Sequence, residues 1–404
     1  MQRRWRAIPE PLDKHTSAMV SFCKGVFRHR TQLTAGWQGP CRFHAGGTPH
    51  LRNCGLMAKP GKYGTNLTPG ETVVLYPTFG HLVEGGRAWR IAVQGTVFES
   101  GQVGFRKRLL LRLLRRVMQA SPEDLNTEIF QQRIRGFIAA TEKGKRISVR
   151  VGPRSQILRK ASNRSGYFSG AIRIAIDELH AVHDGPHSGW VDLETVDPNQ
   201  HNGHRHAQVQ LLKNEGISVI SDIDDTIKHS EVTCRQSLLA NTFLNEFRSI
   251  DGMAEIYRSW AERGVDFHYV SSSPWQLFQP LHDHCLQAGF PPGSFHLRSF
   301  RLRDHMLRRL LRIRRRGKST VIRAIVNLFP LRRFVLIGDS GEKDPEIYSD
   351  VARRFPEQVV AIFIRNLASH PLDEGRAARA LRGIPADKLL VFEHADQLRD
   401  RLLW

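Results

Sequence analysis

Residues 214–404 of this 404-residue chain predict an α/β fold, a parallel sheet with helices on both faces, preceded over residues 61–213 by a smaller mixed α+β accessory region. Short apolar runs recur at Ile217–Ile220, Val265–Val270, Phe334–Ile337, Val359–Ile364 and Leu389–Phe392. Helical patterns separate several of them, as in Met253–Trp260 with apolar residues at 253, 256, 257 and 260. Strands that alternate with helices need crossover connections, and these give a parallel sheet covered on both faces.

In chain order, residues 1–60 hold ten Lys or Arg against two acids, Glu10 and Asp13, and show no sustained period. An Arg-rich, acid-poor segment also suits organelle targeting. The expectation here is a disordered basic arm, or an upstream extension with the start at Met57. Val73 to Phe79 and Trp89 to Phe98 are rich in β-branched and aromatic residues and read as strands. Phe105 to Met118 places Leu110, Leu111, Leu113, Leu114, Val117 and Met118 on one arc, with Arg108, Arg112 and Arg115 opposite. As a core helix it buries its leucines against a neighbouring sheet, which is the expectation. As an interfacial helix it would lie on an anionic bilayer. Ser121, Pro122, Glu123 and Asp124 predict a helix start, with Ser as N-cap, Pro at the first position and acids in the first turn. Strands are predicted again at Arg146–Val151, Tyr167–Ile176 and Ala207–Leu212. His201, His204 and His206 share a polar stretch that reads as a solvated loop, with a metal site as the alternative.

Composition narrows the partners. Sixty Lys and Arg face 39 Asp and Glu, a formal charge of +21. So basic a chain should meet an anion: a phosphorylated substrate, an anionic membrane surface or nucleic acid. The five cysteines are scattered and form no CxxC pair, so neither a disulfide framework nor a structural zinc site is expected. A reducing, cytoplasmic setting fits that usage. No apolar run approaches the ~20 residues of a membrane helix, and no secretory signal is evident at the N-terminus.

In open parallel sheets the chemistry sits at the carboxyl ends of the strands. The first run leads into Asp222, Ile223, Asp224, Asp225 and Thr226. Three acids in four positions repel one another unless a cation sits among them, and two carboxylates so spaced suit Mg²⁺. The second run ends in Ser271, Ser272 and Ser273, whose hydroxyls can hold phosphate oxygens; Ser271 ranks first because it directly ends the run. Lys318 follows the basic run Arg314, Arg315 and Arg316 and can offset phosphate charge. The fourth run delivers Gly338 and Asp339, with Asp344 five residues later. Two other motifs fail on inspection. Gly317, Lys318, Ser319 and Thr320 suggest a phosphate-binding loop, but Arg312 stands where that loop needs Gly. Ser340 lies in a Gly-Asp-Ser-Gly string without His and Asp partners in a convincing context.

The order of these parts, carboxylate pair, hydroxyl, lysine, then Gly-Asp with a second Asp, resembles the four motifs of the haloacid dehalogenase superfamily. The strings SDIDDTIKHSEV, YVSSSPWQL and FVLIGDSGEKDPEIY resemble the catalytic domain of the actin-patch-associated phosphatidate phosphatases and their bacterial relatives. The upstream strings VVLYPTFG and WRIAVQGTVFE are similar to the region that precedes that domain. The resemblance implies a dehalogenase-like catalytic domain over 214–404 and a Mg²⁺-dependent hydrolysis of a phosphate monoester. It implies Asp222 as nucleophile, Asp224 as general acid and base, Thr226 and Ser271 as phosphoryl ligands, and Lys318 as charge partner. Asp222, Asp339 and the backbone carbonyl of Asp224 would hold the metal, with Asp344 orienting the site. Asp225 stands where many of these enzymes have Gly. His229 is placed where it can face the mouth of the site. The implied substrate is a phosphorylated lipid, phosphatidate, met at the membrane by a peripheral protein. Nucleic-acid ends, phosphoproteins, or silent binding to an anionic surface are the alternatives.

Overall fold

The computed structural model describes residues 65–68, 70–99, 105–180, 189–196, 206–298 and 315–401. The expectations for residues 1–60, for His201 and His204, and for the side chains of Arg314, Arg315 and Arg316 lie outside the described residues. Thr65–Trp404 cluster as one compact unit.

Its first part is built on strands β1 (Glu71–Leu75), β2 (Thr78–Val83), β3 (Ala88–Glu99), β4 (Ala140–Thr141), β5 (Ser148–Val151), β6 (Arg154–Ile157), β7 (Tyr167–Ala175), β8 (Trp190–Thr195) and β9 (His206–Leu212). They form a nine-stranded sheet ordered β1-β3-β2-β9-β8-β5-β6, with β4 and β7 paired to β3. All pairs are antiparallel except β2 with β9. Alternate residues such as Ile91, Val93, Val149, Val151, Ile172, Ile174, Val191 and Leu193 meet in one core, as period-two burial requires. The sequence reads Val73 to Phe79 as one strand, and the structure breaks it at Tyr76 and Pro77. Pro77 has no N–H for a ladder, and its carbonyl accepts a hydrogen bond from the Phe295 N–H at 3.1 Å.

Helices α1 (Phe105–Met118), α2 (Glu128–Ile138) and α3 (Ile176–His180) interrupt these strands. The helix expected with Ser121 as its N-cap begins six residues later, with Thr127 as its N-cap accepting from the Phe130 N–H. Ser121 and Asp124 instead bond reciprocally, at 2.7 and 3.1 Å, and close a single turn. Leu110, Leu114 and Met118 are buried as their spacing predicts. They cover a helix rather than a sheet: with Phe130, Ile134 and Phe137 they join a core that holds Leu239 and Phe243.

That partner is α4 (Arg235–Phe243), the first helix of the second part. There follow α5 (Met253–Glu262), β11 (Asp266–Pro274), α6 (Phe278–Gln287), β12 (Ser294–Arg298), α7 (Arg315–Leu328), β13 (Arg333–Asp339), α8 (Asp344–Arg354), β14 (Val359–Arg365), α9 (Glu374–Ala380) and β15 (Leu389–Phe392), all after β10 (Ile217–Ser221). The sheet is six-stranded in the order β12-β11-β10-β13-β14-β15, and every pair is parallel. The α/β expectation holds. β12 is the strand the apolar runs do not show, because Ser294, His296 and Arg298 interrupt its pattern.

Both faces are packed. Val219, Phe267, Tyr269, Val335, Ile337 and Phe363 meet α4, α5 and α6. Their neighbours Ile220, Val270, Phe334, Leu336, Ile362 and Ile364 meet α7 and α8. In α5, Met253, Ile256, Tyr257 and Trp260 are all buried; cutting Trp260 back to Ala would cost about 3–5 kcal/mol. Chain order reverses between β10 and β13, so the crevice of this doubly wound sheet opens beyond the carboxyl ends of those two strands. The first sheet abuts the second here, where Tyr76 stacks on Trp275 with ring centroids 4.0 Å apart.

Candidate active site

Asp222 directly follows β10, and its N–H donates to the Ile337 carbonyl of β13 at 2.8 Å. That bond ties it to the crossover point of the sheet. Asp339 ends β13. Asp344 opens α8, where the partial positive charge of a helix N-terminus suits a carboxylate. Gly338 lets the two acids meet: a Cβ there would fall 2.1 Å from Asp344 Oδ2. Lys318 lies in the first turn of α7 and reaches inward.

The side chains of these residues converge. Lys318 is 6% exposed and its Nζ donates to Asp222 Oδ1 at 2.7 Å and Asp344 Oδ1 at 2.5 Å. The Thr226 hydroxyl reaches Asp222 Oδ2 at 3.5 Å. Asp222, Asp339 and Asp344 are buried and offer carboxylate oxygens within 4.8 Å of one another, a set that can hold a metal ion. One atom supports that fit strongly: Asp339 Oδ2 is buried without a hydrogen-bond partner, while Oδ1 accepts the Gly341 and Glu342 N–H groups at 2.7 and 2.9 Å. An unsatisfied buried carboxylate oxygen is costly unless a cation fills the gap.

Charge agrees with geometry. Burial raises Asp222, and Asp344, Glu342 and Asp339 add to it against the pull of Lys318. Asp339 is raised by burial and by Asp344 and Glu342. Burial opposes the ammonium of Lys318, but Asp222 and Asp344 outweigh it and keep it charged. Several acids thus share one lysine, and a further cation is what would let all of them ionise.

Asp224 faces a different way. Its Oδ2 accepts from the hydroxyls of Ser271 at 3.0 Å and Ser273 at 2.7 Å. Its Oδ1 accepts from Ser230 at 2.7 Å and lies 3.1 Å from Lys228 Nζ. Burial would raise this carboxyl, but Lys228 and the hydroxyls of Ser230 and Ser273 overcome burial and hold it at about 2. The serines can aim this way because β11 loses register with β12 between Val270 and Pro274. Asp225 has φ 54°, the left-handed conformation in which Gly is the usual residue. Its carboxylate accepts from the N–H groups of Ser230, Glu231 and Val232 at 2.7, 2.9 and 2.7 Å, which offsets the backbone strain. His229 is exposed, and its N–H donates to the Arg248 carbonyl.

Some residues of the site escape the motifs. Glu342 is 7% exposed, 3.9 Å from Lys318, and accepts from Ser272 at 3.3 Å. Its position between Asp339 and Asp344 was a readable signal. Lys228, at helical spacing from Asp224, was another. Arg376 had none: its guanidinium donates to the Ser340 and Glu342 carbonyls and pairs with Glu346, so α9 braces the loop between the two acids. A surface cavity of about 380 Å³ lies beside that loop, lined by Lys343, Glu346, His370, Arg376 and Arg379.

Comparison with known proteins relates this stretch of the chain to a catalytic domain. Residues 217–366 match the family model described as phosphatidate phosphatase APP1, catalytic domain. Phosphatidate phosphatase APP1 of Saccharomyces cerevisiae is 32% identical over 252 residues, 59% of this chain and 40% of that protein. An uncharacterised protein of Schizosaccharomyces pombe is 35% identical over 168 residues, 40% of this chain and 27% of that protein. The chain therefore spans less than half the length of these curated relatives. A crystal structure of D,D-heptose 1.7-bisphosphate phosphatase from B. bronchiseptica, complexed with magnesium and phosphate, aligns at 12% identity with a TM-score of 0.29, covering 46% of this chain and 98% of that one. The stretch that carries Asp222, Asp224, Ser271, Lys318, Asp339 and Asp344 thus matches the catalytic domain of the phosphatidate phosphatase APP1 family.

Proposed function

We propose that this chain is a Mg²⁺-dependent phosphatase that cleaves a phosphate monoester through an aspartyl phosphate on Asp222. The observation that carries the reading is the buried Asp222 carboxylate, held 2.7 Å from Lys318 inside the Asp222, Asp339 and Asp344 group at the crossover of the sheet. Asp222 attacks phosphorus while Lys318, Thr226 and the freed hydroxyls of Ser271 and Ser273 receive the phosphoryl oxygens. Asp224 protonates the departing ester oxygen, then takes a proton from the water that opens the aspartyl phosphate. Lys228, Ser230 and Ser273 favour the ionised form of Asp224. A phosphoryl dianion beside it, with the serine hydroxyls turned toward that dianion, raises its proton affinity. Asp222, Asp339 and Asp344 are the side chains that would hold Mg²⁺. When bound, the ion supplies charge stabilisation to the transferring group.

The substrate we propose is phosphatidate, converted to diacylglycerol at a membrane surface by a peripheral protein. The named activity of the yeast relative supports it, and so does the charge of +21, which favours anionic lipid. Among the described residues no helix is long and apolar enough to cross a membrane. The test is a substrate panel with Mg²⁺: phosphatidate in mixed micelles, an aryl phosphate, 5′-phosphorylated oligonucleotide and phosphopeptide. Turnover of phosphatidate above the others is expected. Preference for the oligonucleotide or phosphopeptide would move the substrate to that class, and turnover of none would end the phosphatase reading.

A further inference from the structure

Lys228 is a buried ammonium without a place among the motifs. It is 1% exposed, and an ion taken out of water costs several kcal/mol unless it is paired. Methionine would fill the same volume without that cost. The charge is therefore engaged, and its partners are all local. Nζ lies 3.1 Å from Asp224 Oδ1, donates to the Ser230 hydroxyl, and sits 4.7 Å from the centre of the Phe247 ring. The same ring also takes the Arg133 guanidinium of α2, at 3.7 Å from its centre.

Several backbone bonds hold Lys228 in this place. Its N–H donates to the Ile223 carbonyl at 3.0 Å, and its own carbonyl accepts from the Asp225 N–H at 2.7 Å. The Asp225 carboxylate gathers the N–H groups of Ser230, Glu231 and Val232, which brings the Ser230 hydroxyl back onto Asp224.

The two oxygens of Asp224 are thus held by different classes of group. Oδ1 is gripped by Lys228 and Ser230 from its own loop. Oδ2 is held by the hydroxyls of Ser271 and Ser273 on β11, groups that turn to a phosphoryl oxygen once one is present. We infer that Lys228 is a positioning residue that anchors Asp224 through Oδ1, so that Oδ2 is the working oxygen released when Ser271 and Ser273 engage phosphate. In the first step the P–O bond to the leaving group breaks as Asp222 bonds to phosphorus, and the Oδ2 proton passes to the ester oxygen. In the second, water attacks phosphorus, the Asp222 bond breaks, and Oδ2 recovers a proton from that water. This inference rests on the phosphatase reading above.

A leaving group's need for a proton separates anchoring from mere folding. An alkyl phosphate needs the proton; p-nitrophenyl phosphate, whose anion leaves unaided, needs it far less. Lys228→Met should lose on the order of tenfold or more of its kcat/KM, which reads the steps up to departure of the leaving group, on the alkyl ester beyond what it loses on the aryl ester. Ser230→Ala, which removes the other Oδ1 contact and leaves the Lys228–Asp224 pair in place, should lean the same way and carries the test if Lys228→Met does not fold. Equal losses on both esters in a folded variant would overturn the inference and leave the phosphatase reading standing. A wild-type protein active on neither ester would bring down both.

Discussion

Replacing Glu342 by Gln should stabilise the metal-free protein at pH 8 and do little at pH 5. Glu342 is 7% exposed. Its burial, reinforced by Asp344 and Asp224 against Lys318, pushes the carboxyl from 4.5 to about 7. The folded pKa is thus above the unfolded one. Between the two values the folded protein keeps a proton that the unfolded chain has released, so stability is lost as pH rises through that window. At about 1.4 kcal/mol per pKa unit, the loss is roughly 3 kcal/mol at pH 8 and under about 1 kcal/mol at pH 5. Gln preserves the size and an oxygen for the Ser272 hydroxyl but never ionises. Urea unfolding of both proteins in chelator, at pH 5 and pH 8, reads the difference directly. Magnesium should narrow the gap at pH 8, because a cation beside the acids favours the charged form of Glu342. The same pH dependence in both proteins would refute the claim that Glu342 is held protonated by the folded site.

Asp222→Asn should leave the thermal unfolding transition in place while lowering kcat on an aryl phosphate by at least about a thousandfold; a folded variant with substantial turnover would remove Asp222 as nucleophile. Chelation should abolish turnover and Mg²⁺ restore it. Ca²⁺ should restore little, because its longer and more numerous oxygen contacts spoil in-line attack, and activity unchanged by exhaustive chelation would contradict the metal assignment. Flotation should recover the protein with vesicles containing phosphatidate and release it as salt rises, with little recovery on neutral vesicles. Equal recovery on both would leave the membrane step without support.

Much of this was readable in the chain. The apolar runs at Ile217–Ile220, Phe334–Ile337 and Val359–Ile364 name themselves because a strand buried on both faces cannot alternate. The acids at 222, 224 and 339 stand at the ends of two of those runs, with Asp344 five residues beyond, so strands and candidate acids were legible together. The spacing of Met253, Ile256, Tyr257 and Trp260 announced α5 in the same way.

What stayed hidden is what depends on distant partners. Nothing local says that Leu110 and Leu114 cover α4 rather than a sheet, because a leucine stripe states that a face is buried and not against what. Nothing local shows Arg376, which meets the Ser340 and Glu342 carbonyls only when α9 packs beside the loop. The burial of Lys228 is hidden too, since a lysine in a polar string reads as solvated until Phe247 and Asp224 close around it. Which reactive side chains follow which strands could be read along the chain, because apolar period and residue type are local. Which of them meet follows from packing between distant segments. The pairing of β10 with β13 sets Ser221 opposite Ile337 and so brings Asp222 to Asp339. That adjacency comes from side chains packed on both faces of the sheet, contacts between segments far apart in the chain that no local pattern encodes.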